Sequence, residues 1–107
     1  MYWIVLSVAI VVEIIWALSL KWAQAQGSWL YAAVPIALSF VNMALLSFAM
    51  RGIPAGTAYA IWTGLGAIGV IIGGIVLFHD RVNAIQAGFM LLTVIGVVGT
   101  KLFAQAA

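Results

Sequence analysis

Four apolar runs fill most of this chain, and each is close to the roughly 20 residues that an α-helix needs to cross the hydrocarbon core of a bilayer. They cover residues 2–20, 29–50, 57–78 and 85–102. The breaks between them, 21–28, 51–56 and 79–84, hold most of the charge and the turn residues Gly27, Gly52 and Pro54. None of these breaks is long enough for a soluble domain, so the expectation is a single four-helix transmembrane domain over residues 1–107. A β-barrel would need alternating polar and apolar residues, whereas these runs are apolar all round. With 67% hydrophobic and 6% charged residues, too little polar surface exists for a water-soluble globule. Ala23-Gln24-Ala25 has the form of a signal cleavage site, but no basic residue precedes the first run, the run is too long, and Glu13 interrupts it. That run reads as the first span.

Four spans place both termini on one side. Arg51 and Lys101 then share that side with the amino terminus, while Lys21 and Arg81 lie on the other. Orientation follows the Lys/Arg difference between short loops, and here two face two. This balance favours copies that insert both ways and pair antiparallel, against a one-way insertion decided by some further feature. Inverted pairing suits transport, because inward-open and outward-open states become one structure seen from opposite sides. The four basic side chains are too scattered to form a patch for nucleic acid or anionic lipid. The absence of cysteine removes disulfides and thiolate metal sites. No metal or cofactor is assigned.

Of the two acidic residues, Glu13 and Asp80, only Glu13 lies deep in a span. An ionised carboxylate at that depth costs a few kcal/mol or more, so such residues face a bundle interior or watery cavity and usually serve transport. No Lys, Arg or His lies at similar depth to neutralise it. Burial without a partner favours the protonated form, so one site can take either a proton or a cation. A protonated Glu making a single interhelical hydrogen bond is the structural alternative.

One turn before Glu13 stand Ala9 and Ile10, and one turn after it Trp16 and Ala17. Trp16 can donate its indole N–H to a carboxylate or offer its ring to a cation. Tyr59 and Trp62, three residues apart at the start of the third span, can present a hydroxyl, an indole N–H and two ring faces. Farther along, Gly64, Gly66, Gly69, Gly73 and Gly74 weaken the helix and permit close packing. Gly64 and Gly66 read as a hinge, with a packing groove as the competing reading. In the fourth span Ala84, Gly88, Gly96 and Thr100 form a small-residue stripe broken by Leu92, which suits dimer packing or contacts within one copy. His79-Asp80-Arg81 reads as a solvated break without chemistry.

Over its whole length the chain resembles the small multidrug resistance family. Glu13 with Trp16-Ala17 and Lys21, then Pro54, Gly56-Thr57-Ala58-Tyr59-Ala60 and Ile61-Trp62-Thr63-Gly64, is similar to the guanidinium-exporting subtype rather than the polyaromatic drug-efflux subtype. The resemblance implies an antiparallel dual-topology dimer, a site shared by two copies of Glu13, and exchange of protons for guanidinium-type cations. It also implies that Tyr59 and Trp62 line the site and that the fourth span holds the dimer together. Three positions near the site depart from the subtype pattern: Ile10 stands where members carry a small residue, Asn42 where a serine is common, and Ser39 where an apolar residue is typical. Asn42 offers an amide oxygen and two N–H donors in place of one hydroxyl, which suits a larger or acylated guanidine.

The expectation is therefore a secondary transporter, not an enzyme: a proton-coupled guanidinium exporter of the bacterial inner membrane, acting as a homodimer or with a sister subunit. A broad quaternary ammonium exporter is the rival within transport. A non-transporting membrane adaptor is the rival outside it, and would tolerate Gln in place of Glu13. A channel is disfavoured, since one carboxylate cannot line a continuous pore.

Overall fold

A computed structural model describes residues 1–105, and the apolar runs are helical throughout it. Helix α1 spans Tyr2–Ala25, α2 Ala33–Ala49, α3 Ala55–Phe78 and α4 Ala84–Leu102, and a 3-10 turn, Trp29–Ala32, leads into α2. Taken with that turn, α2 joins the other three in being long and apolar enough to cross a membrane. The chain is thus an all-α membrane protein.

Local chemistry explains the boundaries. Helix α1 continues past residue 20 to Ala25 because Lys21-Trp22-Ala23-Gln24-Ala25 contains no helix breaker. Gly27 then adopts φ 74, a left-handed conformation that costs glycine little, and ends the helix. Ser28 Oγ accepts the Leu30 N–H at 3.3 Å and starts the 3-10 turn. Pro54 cannot extend α2 and stands at the N-cap of α3. At the far end of α3 His79 turns left-handed, φ 58, while the Asp80 N–H returns to the Gly74 carbonyl at 3.2 Å. Asn83 Oδ1 caps α4 by accepting the Gln86 N–H at 2.8 Å.

The helices stand in a row rather than a closed bundle. Helix α1 is central, packed against α2 on one side and α3 on the other, while α4 packs mainly on α3. The Cα envelope of 46 × 35 × 16 Å is accordingly broad and thin. Most large apolar side chains face outward, among them Phe40, Met43, Val76 and Phe89. In water such a surface would aggregate; in lipid it is the expected exterior.

Packing is tightest at the end that holds the termini. There Leu6, Ala49, Ile53, Ala58, Ile61 and Val97 form the buried core, drawn from all four helices and the turn before α3. Tyr2 stacks at 5.6 Å on Phe48, and Lys101 Nζ lies 5.0 Å from the centre of the Trp3 ring. At the opposite end Lys21 Nζ meets Asp80 Oδ1 at 2.9 Å and lies 4.9 Å from the Phe78 ring centre. Asp80 is thus paired rather than simply solvated, although an ion pair this exposed contributes only about 0–1 kcal/mol. The space between α1, α2 and α3 at this second end stays open, as an apolar cavity of about 570 Å³ walled by residues such as Leu18, Trp22, Val34 and Phe78.

Candidate functional site

Glu13 sits midway along α1, on the face turned toward α3. A row of glycines receives that face. A Cβ added at Gly66 would lie 2.9 Å from Glu13 Cγ, one at Gly73 2.6 Å from Leu18 Cδ1, and one at Gly69 would overlap Ile14. On the other side of α3 an added Cβ at Gly64 would lie 2.6 Å from Val97 Cγ2 of α4. Helix α3 runs without interruption through all of these positions. In this conformation Gly64 and Gly66 therefore provide close approach, with α1 seated on one flank and α4 on the other.

Gly66→Ala is accordingly expected to push the Glu13 side chain away from α3. Overpacking of this kind costs about 1–3 kcal/mol. The thermal midpoint of the detergent-purified protein should fall by several degrees, with membrane insertion retained. Thermal unfolding of both proteins measures this, and an unchanged midpoint would show that Glu13 has room to move.

The second wall of the site comes from α2. Asn42 is 6% exposed and is the one buried polar residue among those described. Its Nδ2 donates to Glu13 Oε1 at 2.9 Å, and its Oδ1 accepts the Trp62 indole N–H at 3.3 Å. The amide can adopt only this orientation, because an indole nitrogen can only donate and an ionised carboxylate can only accept. Asn42 thus ties α1 to α3 through a bridge of side chains. Oε2 of Glu13 has no hydrogen-bond partner among the described residues. Ser39, one turn before Asn42, donates its hydroxyl to the Pro35 carbonyl at 2.9 Å, which leaves its oxygen lone pairs free.

These groups border a cavity of about 110 Å³, with Trp16, Met43 and Leu46 completing the lining. Of the residues singled out from the sequence, Glu13, Trp16, Ser39, Asn42 and Trp62 meet here. Trp16 lines the cavity; the indole N–H that enters the network belongs to Trp62 and reaches Asn42, not Glu13. Tyr59 stacks on Trp62 with ring centres 5.5 Å apart but stays 55% exposed outside this cavity. Ile10 faces the core cluster around Leu6 and does not border the cavity. Met43 and Leu46 escaped sequence reasoning. With Ser39 and Asn42 they occupy positions i, i+3, i+4 and i+7 of one helix, so the two polar residues would have revealed them. On α4, a Cβ added at Gly88 or Gly96 would meet nothing within 4 Å, and Thr100 returns its hydroxyl to the Gly96 carbonyl at 2.8 Å.

The family model described as Small Multidrug Resistance protein matches residues 1–95, which include α1, α2, α3 and much of α4. The chain belongs to the small multidrug resistance family. Among its relatives, the guanidinium exporter of Proteus vulgaris is 43% identical over 102 residues, covering 95% of this chain and 98% of that protein. The guanidinium exporter of Escherichia coli K12 is 40% identical over the same length, covering 95% and 97%. That of Salmonella typhimurium is 41% identical over 102 residues and 95% of this chain. Membership of the small multidrug resistance family places the chain among transporters.

Proposed function

We propose that the protein is a proton-coupled antiporter that exports guanidinium-type cations across the bacterial inner membrane. One observation carries this reading. The single carboxylate within the membrane spans has one oxygen held by Asn42 and the other without a partner among the described residues, beside a small cavity walled by Trp16 and Trp62. The names and identities of the relatives support the substrate class.

Asn42 can donate to Oε1 whether Glu13 is ionised or neutral, since the carbonyl oxygen of a carboxylic acid also accepts. Oε2 is then the atom that takes the proton or the cation. The two ligands compete for one negative charge, so binding of either weakens the other. A guanidinium ion is planar and presents parallel N–H donors to a carboxylate, which a point-charge ammonium does less well. The aromatic faces of Trp16 and Trp62 add cation–π attraction, and Tyr59 extends that wall outward.

Two copies in antiparallel orientation would bring two such sites together. The open α4 flank, with Gly88, Gly96 and Thr100, supplies the surface for that pairing; a sister subunit of the same family is the alternative partner. The uneven packing of the two ends suits alternating access, with α3 flexing at Gly64 and Gly66 as the open and closed ends exchange.

Proteoliposomes containing the purified protein test this reading. A gradient of guanidinium should drive proton movement in the opposite direction, and a panel of substituted guanidines and tetraalkylammonium ions should rank guanidines first. Faster movement of the tetraalkylammonium ions would assign the chain to broad drug efflux. No coupled movement of any cation would favour an adaptor.

A further inference from the structure

The turn that closes α3 is built more closely than a solvated break requires. His79 takes a left-handed backbone, φ 58, a conformation uncommon outside glycine, and this folds Asp80 back over the last turns of the helix. The Asp80 N–H closes on the Gly74 carbonyl at 3.2 Å. Gly74 is buried, and a Cβ added there would overlap Asp80 Oδ2, so the carboxylate lies in a niche that only glycine leaves open. From that niche Oδ1 accepts a hydrogen bond from Lys21 Nζ of α1 at 2.9 Å. The same ammonium lies 4.9 Å from the centre of the Phe78 ring, which forms one wall of the open apolar cavity at this end.

Elsewhere along the seam α3 presents Gly66, Gly69 and Gly73 to α1, which give close contact without interlocking side chains. Lys21 to Asp80 is the only direct side-chain hydrogen bond from α1 to α3 or its closing turn among the described residues, since Asn42 reaches both helices from α2. We infer that this pair is a clasp that must open before the outer half of α3 can leave α1, and that it thereby sets the rate of alternating access. The inference rests on the exporter reading, in which α3 flexes at Gly64 and Gly66 and two inverted copies exchange roles. In each end state one copy is then clasped and the other is not, so the strength of the clasp cancels between the two states. In the transition between them both clasps are open. The clasp therefore slows the exchange without favouring either side of the membrane. An exposed ion pair is weak, which suits a contact remade in every cycle.

Exchange between the two conformations is measured by NMR on the purified protein in lipid bicelles, for the wild type and for Asp80→Asn. This variant removes the charge without altering the Lys/Arg balance that sets orientation. It should exchange about two- to fivefold faster, with the two conformations still equally populated. Raising the salt from about 0.05 M to about 1 M should quicken the wild type toward the rate of the variant and leave the variant unmoved, a response that a packing role for Asp80 would not produce. Equal rates for the two proteins, or equal responses to salt, would overturn the clasp and leave the exporter reading intact. Should Asp80→Asn fail to fold, Gly74→Ala takes its place, because it displaces the carboxylate by filling its niche; it too should exchange faster, and a wild-type rate would overturn the clasp. A wild type that shows no exchange between two conformations would instead overturn the flexing of α3, and this inference with it.

Discussion

Glu13→Gln is expected to abolish proton-coupled transport while insertion and assembly persist. Gln keeps the length of Glu and can still accept the Asn42 N–H through its amide oxygen. It places an NH₂ group where Oε2 stood, so the cavity gains donors, loses its charge and cannot hold a transferable proton. Removing one partner from a desolvated charge pair costs about 2–5 kcal/mol, which corresponds to a loss of about thirtyfold or more. Glu13→Asp retains the charge but draws it back by one methylene from Asn42, so partial activity with a shifted pH dependence should remain. Uptake driven by a pH gradient, alongside cross-linking for assembly, reads both variants. Undiminished coupled uptake by Glu13→Gln would remove Glu13 from the mechanism.

Ala55→Lys is expected to bias the protein to one orientation and to remove most activity when it is expressed alone. Ala55 is exposed at the start of α3, on the end shared by Arg51 and Lys101, so the new charge changes the balance from two against two to three against two. Orientation follows the Lys/Arg count rather than net charge, so the contact of Lys21 with Asp80 does not alter this arithmetic. Gln26→Lys, exposed in the break after α1, should bias the opposite way. Co-expression of the two variants should restore transport if opposed copies form the working unit. Accessibility labelling from both sides of the membrane provides the check. A single orientation for the unmodified protein, or full activity of Ala55→Lys alone, would exclude antiparallel pairing.

The sequence by itself determined the number and placement of the helices, because lipid demands a nearly fixed length of apolar residues and an internally satisfied backbone. Gly27 and Pro54 mark two of the ends through their own backbone preferences. Glu13 was equally legible, since a mid-span carboxylate is costly whatever surrounds it. The rotational setting of each helix was not. Helices that are apolar on every side carry no amphipathic signal to say which face turns inward. Only the tertiary structure decided that Asn42 bridges Glu13 and Trp62, that Trp16 lines the cavity while the indole N–H reaching Asn42 is that of Trp62, and that Tyr59 and Ile10 lie outside the cavity. It also showed the close approach that Gly66 gives to Glu13, a contact that depends on how α1 and α3 pack and leaves no pattern in either segment alone.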